Sequence, residues 1–211
     1  MKVLSLDISS KNTGWSILVD KLLVDFGEFG DDKPSIDKNA HADRLLRFQS
    51  LVRELILKHS PDVIIIEDAW AGKNITTLKI LCFYHGIVHA LAAEFNLKEV
   101  VFMPSRFRRL VGVTHNIKLN HKDREENKAA AIAFAYNHFT ELFKNSASED
   151  ICESAILGLA HFYWDEAYNK ILLETKAKNP KTKSKVKLHD LANKATEKFF
   201  DEKVKENEKS P

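Results

Sequence analysis

The sequence is poor in cysteine, glycine and proline. Its 211 residues include two Cys, seven Gly and five Pro. Two isolated thiols without a Cys-x-x-Cys pair exclude a disulfide framework and a cysteine zinc site. The scarcity of Gly and Pro argues against a disordered chain and against a turn-rich β-sandwich. These absences predict a folded protein that resides in a reducing compartment, the cytoplasm.

Long apolar runs and a large excess of one charge are also absent. No stretch approaches the roughly 20 apolar residues that a membrane span needs, and the first residues lack a signal-peptide pattern, so we expect no membrane partner. Lys and Arg number 32 against 30 Asp and Glu, a net charge of +2. Because bulk charge cannot attract nucleic acid here, any such contact must come from local patches.

What the sequence does contain is an alternation of strand and helix patterns. The apolar spacing predicts five strands, at residues 3–6, 15–19, 22–29, 63–66 and 99–103. Helical periodicity marks residues 41–59, 76–95, 122–139 and 149–168. The β-branched run at 63–66 is typical of a strand that is buried on both faces. The pattern therefore predicts an α/β fold, a mixed five-stranded sheet with helices on both faces.

The last part of the chain differs in charge. Residues 170–211 hold twelve Lys against seven acidic residues, and residues 176–187 hold six Lys and no acid. We interpret residues 176–187 as a basic linker, followed by a short helix. The expected division is a folded domain at 1–169 and a Lys-rich extension at 170–211.

Four acidic residues lie at positions where they could form a catalytic or metal-binding site. Asp7 ends the first strand, Glu67 ends the strand at 63–66, and Asp150 and Glu153 are three residues apart near a helix start. Positions three apart share one helical face. If the two strands are neighbours, Asp7 and Glu67 meet at one sheet edge, and the helix start can complete a cluster of four carboxylates.

Such a cluster favours a divalent metal. Carboxylates that are close together repel one another, and each raises the pKa of the others. Hard oxygen ligands suit Mg²⁺ or Mn²⁺, which supply the opposing charge. Two such ions about 4 Å apart can activate water and stabilise the leaving oxygen in phosphodiester cleavage.

Each acid also has an ordinary structural explanation. A single acid that ends a strand is usually solvated, and an acid in the first turn of a helix complements the helix dipole. Glu149 is a rival for Asp150, because it lies four residues before Glu153. Asp68 is a rival for Glu67, although its side chain should point to the opposite face of the sheet.

Three segments resemble the motifs of RuvC-type Holliday-junction resolvases, a family of the ribonuclease H-like superfamily. Residues 6–15 read LDISSKNTGW, residues 65–74 read IIEDAWAGKN and residues 150–155 read DICESA. The resemblance covers roughly residues 1–165. It implies a ribonuclease H-like fold, a homodimer, and cleavage of branched, four-way DNA with two Mg²⁺ ions per active site. The abundance of Lys and Asn suits a bacterial or bacteriophage member.

The resemblance also implies roles for single residues. Asp7 would bridge both metals, Glu67 would hold one, and Asp150 with Glu153 would hold the other. Trp70 matches an aromatic residue placed against the open centre of a junction, where an exposed ring can stack on a base. Glu153 stands where many relatives carry Asp, so its carboxylate reaches one methylene further.

Basic residues between positions 106 and 128 form the candidate DNA patch. They outnumber the acidic residues there by seven to three, and phosphate contacts of this kind set affinity and register without reading sequence. An ordinary solvated basic face is the alternative. The candidate DNA contacts, including those beside the active-site loops, are Lys11, Trp70, Lys73, Asn74, Arg106, Arg109, Lys118 and Lys122.

Three other functions compete with junction resolution. Ribonuclease H-like nucleases with the same acids cut flaps, R-loops or duplexes, and the acids do not separate these substrates. Asp7 with its Ser/Thr/Gly turn also resembles the phosphate-binding start of sugar kinases and actin-like ATPases, but we find no second phosphate loop. A DNA-binding protein without activity would not need all four acids.

Overall fold

The computed structural model describes residues 1–9, 12–30, 38–69, 75–113, 121–178 and 185–207. The strands are β1 (Lys2–Ile8), β2 (Asn12–Val19), β3 (Leu22–Gly30), β4 (Val63–Glu67) and β5 (Lys98–Phe102). The helices are α1 (Lys38–His59), α2 (Ile75–Glu94), α3 (Pro104–Leu110), α4 (His121–His138), α5 (Thr140–Lys144), α6 (Glu149–Lys178) and α7 (Lys185–Asn207).

The five strands form one mixed sheet in the order β3-β2-β1-β4-β5. The first three strands pair antiparallel, whereas β4 lies parallel to both β1 and β5. Asp20 and Lys21 form the tight turn between β2 and β3, and both have positive φ, as two-residue hairpin turns require. The predicted five-stranded mixed sheet is confirmed.

Each face of the sheet carries its own apolar core. Leu4 and Ile64 point to the side that α1 and α2 cover, whereas Val3 and Ile65 point to the side of α3, α4 and α6. Because side chains alternate along a strand, one residue of shift would exchange the two cores. The predicted placement of helices on both faces is therefore also confirmed.

Helix α6 lies unusually close to the sheet. Every residue from Ile151 to Phe162 is buried, so this segment packs on all sides. The Ser5 hydroxyl donates a hydrogen bond to the Ser154 carbonyl at 2.7 Å. Gly158 lies so near the sheet that a methyl group there would stand 2.6 Å from Leu18 Cδ1 and 2.7 Å from Ser5 Oγ. These contacts fix the helix start relative to β1.

The C-terminal part is more helical than predicted. Helix α6 continues to Lys178, ten residues beyond its predicted end, and the expected boundary at 169/170 lies inside it. The segment 176–187 is helical at both ends, so the linker prediction is wrong there; residues 179–184 lie outside the described part. Helix α7 packs against α6, with Phe200 stacked on Trp164 at 6.0 Å.

The close approach of α6 leads to a stability prediction. Gly158→Ala should lower the free energy of unfolding by about 1–3 kcal/mol, because the added methyl group overpacks the contact with Leu18. Leu18→Ala alone should cost about 2–5 kcal/mol. The double variant should cost less than the sum, since the methyl group then enters the cavity. Urea denaturation measures all three, and strict additivity would show that the two positions do not touch.

Candidate active site

The parallel pairing of β1 and β4 places two acids at one sheet edge. Leu6 is the register partner of Ile66, so Asp7 and Glu67 are the next residues on neighbouring strands. Ser5 and Ile65 lie on the α6 side of the sheet. Because side chains alternate, Asp7 and Glu67 also lie on that side. The expected convergence of these two acids therefore follows from the observed register.

A glycine allows the start of α6 to reach the same edge. Gly14 is the register partner of Asp7 on β2, and a methyl group at position 14 would overlap the Asp150 carbonyl. Only a residue without Cβ leaves room for the first turn of α6. This turn carries Asp150 and Glu153 on one helical face, next to Asp7. Gly14 of β2 therefore has a packing function.

Electrostatic repulsion links Asp7 to each of the other three acids. Burial raises the pKa of Asp7 well above its usual 3.8, and repulsion from Glu67, Glu153 and Asp150 raises it further. Burial is also the main cause of the raised pKa values of Glu153 and Asp150. Each of the other three predicted acids thus raises the pKa of Asp7.

The two rival acids differ in position. Glu149 forms an ion pair with Lys128 of α4, yet it lies close enough to raise the pKa of Asp150 and of Glu153. Asp68 acts on His85, a buried residue of α2, which covers the opposite face of the sheet, as alternation along β4 predicts. Neither rival contributes to the pKa shift of Asp7; the choice of Asp150 over Glu149 stays a prediction.

A partly buried arginine lies among the four acids. Arg108 Nη2 donates to Glu153 Oε1 at 2.8 Å, and Arg108 Nε donates to both Oε atoms at 3.2 Å. The side chains are 19% and 4% exposed, respectively. Sequence reasoning placed Arg108 in the basic segment without linking it to the acids. A sequence separation of 45 leaves no periodic signal, and only the position of α3 after β5 reveals the pair.

Two predicted DNA contacts face the C-terminal helix. Arg106 Nη2 lies 3.4 Å from Glu197 Oε1, and Arg109 Nη1 lies 2.9 Å from Asp201 Oδ1. The Arg106 guanidinium also stacks over Trp164 at 4.1 Å. The two arginines share one face of α3, and this face packs against α7.

The side chains of the other predicted DNA contacts lie outside the described part of the structure. Lys122 belongs to α4, whose first side chains are outside the described set. The remaining residues lie outside the described residues altogether: Lys11, Trp70, Lys73, Asn74 and Lys118.

The donor set suits the divalent metal that the resemblance implies. The four partly or fully buried carboxylates outnumber the two cations that act on them, Arg108 and Lys128, and this excess of negative charge is unfavourable without a further cation. Oxygen donors of this kind select Mg²⁺ or Mn²⁺. Within the described ranges, no three His, Cys, Asp or Glu side chains are already arranged as a closed ligand set. One reason is visible, since Arg108 engages both oxygens of Glu153.

The raised pKa of Asp7 predicts a pH-dependent stability. The folded state binds this proton more tightly than the unfolded state, so stability without metal should fall as the pH rises above about 4. Asp7→Asn should remove much of this fall and stabilise the protein by about 0.5–2 kcal/mol at pH 8 in EDTA.

The measurement is urea denaturation from pH 4 to pH 8 in EDTA. Asp43→Asn provides the control, because Asp43 is an exposed residue of α1 and should leave the profile unchanged. An Asp7→Asn profile parallel to that of the wild type would contradict the raised pKa.

Comparisons with known proteins identify the family to which the chain belongs. The family model for the crossover junction endodeoxyribonuclease RuvC matches residues 3–138. The RuvC of Rickettsia typhi is 26% identical over 112 residues, which are 53% of this chain and 71% of the relative.

Solved structures show the same fold. RuvC of Thermus thermophilus in complex with a Holliday junction substrate has a TM-score of 0.61 at 11% identity, and another structure of Thermus thermophilus RuvC has 0.59 at 10%. Each match covers 79% of this chain and 96% of the other. The chain therefore has the ribonuclease H-like fold. Because the family match spans more than half of the sequence, the chain belongs to the RuvC family of crossover junction endodeoxyribonucleases, for which dependence on divalent metal is general.

Proposed function

We propose that this chain resolves four-way DNA junctions by metal-assisted hydrolysis at Asp7, Glu67, Asp150 and Glu153. The family gives the reaction class, an endonuclease. The observation that carries the assignment of residues is geometric: the register of β1 and β4 places Asp7 beside Glu67, and at Gly14, the register partner of Asp7, a methyl group would overlap the Asp150 carbonyl. The family match ends at residue 138, so the assignment of Asp150 and Glu153 rests on their place in the fold.

The acids have different tasks in this proposal. Asp7 lies between Glu67 on one side and the start of α6 on the other, so its carboxylate is shared by both halves of the site. Glu67 holds one half, and Asp150 with Glu153 holds the other. Two Mg²⁺ ions, with Mn²⁺ as a substitute, would supply water activation and charge stabilisation at the phosphate. The buried helix and strand backbone hold these side chains in a fixed geometry.

DNA would be held by basic and aromatic residues around this edge. Trp70 stacks at the junction centre, and the cations bind phosphates: Lys11, Lys73, Arg106, Arg109, Lys118 and Lys122, with Asn74 beside Lys73. Arg106 and Arg109 would have to exchange Glu197 and Asp201 for phosphate oxygens. In functional terms we assign the nuclease to residues 1–169 and an accessory role to the Lys-rich extension at 170–211.

We further propose that α2 forms the surface of a homodimer. Ile75 is 62% and Phe83 is 54% exposed, and Gly86 and Ala90 follow on the same exposed side. Small residues on such a face allow two helices to approach closely. By length and composition α2 could also cross a membrane, a test that core helices of other proteins pass as well. Burial against a second copy in the cytoplasm accounts for its apolar face.

Junction cleavage tests the proposed function. Wild-type protein with Mg²⁺ should nick a synthetic four-way junction symmetrically and faster than a flap or a duplex. Asp7→Asn should slow cleavage about 100-fold or more and keep junction binding, because it removes a ligand without changing the shape of the surface. Asp43→Asn is the matched control. Equal rates on all substrates would favour the general nuclease, and unchanged cleavage by Asp7→Asn would refute the site.

The oligomeric state tests the proposed dimer. Phe83→Asp should convert the protein to a monomer, because a charge buried in an apolar interface is strongly unfavourable. Leu57→Asp is the control, since Leu57 is 63% exposed on α1, away from α2's exposed face. Sedimentation velocity measures both variants. Dimers of Phe83→Asp as stable as those of the wild type would place the interface elsewhere.

A further inference from the structure

Arg108 is bound to the acidic cluster by geometry as well as by charge. It uses Nε and Nη2 to reach both carboxylate oxygens of Glu153, and paired donation of this kind fixes orientation as well as distance. Its guanidinium is also attracted to Glu67 and Asp7. One arginine of α3 therefore faces three of the four acids.

The neighbouring arginines of α3 serve a different purpose. Arg106 and Arg109 are paired with acids of α7, on another side of the helix. Phe107 is fully buried in the core between them, which prevents α3 from rotating. Helix α3 is thus anchored on two sides, and Arg108 is held in place by the fold rather than by its own ion pair alone.

A fixed positive charge among these acids has two opposite effects on a divalent cation. It orients Glu153, which the longer Glu side chain makes necessary because an additional rotatable bond has to be restrained. It also repels a cation at the same cluster, since like charges a few ångströms apart interact appreciably even in a partly solvated site. The first effect favours catalysis, and the second weakens metal binding.

We propose that Arg108 is a positioning residue that acts as a built-in counter-ion. It holds the Glu153 carboxylate in place, and its positive charge lowers the affinity of the acidic cluster for a divalent metal. This inference rests on the proposed metal set. It predicts that loss of Arg108 strengthens metal binding while it weakens cleavage. Loss of an ion pair with a purely structural role would not strengthen metal binding while it weakens cleavage.

The test is Mn²⁺ titration of the full-length protein without DNA, followed by electron paramagnetic resonance. Arg108→Gln should bind Mn²⁺ about tenfold more tightly than wild type, because one repelling charge is gone, and should cleave junctions about 10–100-fold more slowly. Arg108→Lys should keep near-wild-type Mn²⁺ affinity, because the charge remains, but should still cleave slowly, because a lysine cannot donate in the paired geometry.

Arg53→Gln is the matched control for loss of an arginine–carboxylate pair. Arg53 of α1 binds both oxygens of Glu94, with Nη2 and Oε2 2.7 Å apart, far from the acids, and its loss should change neither quantity. Unchanged or weaker Mn²⁺ binding by Arg108→Gln, with wild-type protein binding normally, overturns this inference and leaves the metal set intact. Absence of Mn²⁺ binding by the wild type overturns both.

Discussion

Repulsion among buried carboxylates is the constraint on which this structure depends. The parallel register of β1 and β4 brings Asp7 and Glu67 together, and the start of α6 adds two further acids. Burial and mutual repulsion make the pKa of Asp7 rise well above its ordinary value, so the fold stores unfavourable free energy at this edge. A protein that only needed to fold would have no reason to keep such a cluster, whereas a divalent cation turns it into a favourable site.

The rest of the molecule can be understood as the support for this edge. The twelve consecutive buried residues of α6, the hydrogen bond between Ser5 and Ser154, and the two close approaches at Gly14 and Gly158 fix the helix against the sheet. Since interiors are close-packed, this support resists the repulsion that would otherwise separate the helix from the strands. Arg108 relieves part of the repulsion from the opposite side, and α7 braces the helix that carries Arg108.

The sequence allowed much of the fold and the acidic site to be predicted, because both leave periodic or adjacent signals. Alternation placed Asp68 away from the cluster, and the apolar run at 63–66 identified the central strand. Helix α5 was missed because five residues are too short to show a helical period, and the length of α6 was underestimated by ten residues. The pair of Arg108 and Glu153 could not be found, since it depends on where α3 stands after β5. Phosphate contacts such as Lys118 remain predictions.

The central claim is that the four acids bind divalent metal jointly. The most direct measurement is a crystal structure of the protein soaked in Mn²⁺, with anomalous diffraction used to locate the ions. We predict anomalous density in contact with the Asp7 carboxylate and bordered by Glu67 and the first turns of α6. Manganese bound elsewhere, with none at Asp7 under conditions that support cleavage, would contradict the account.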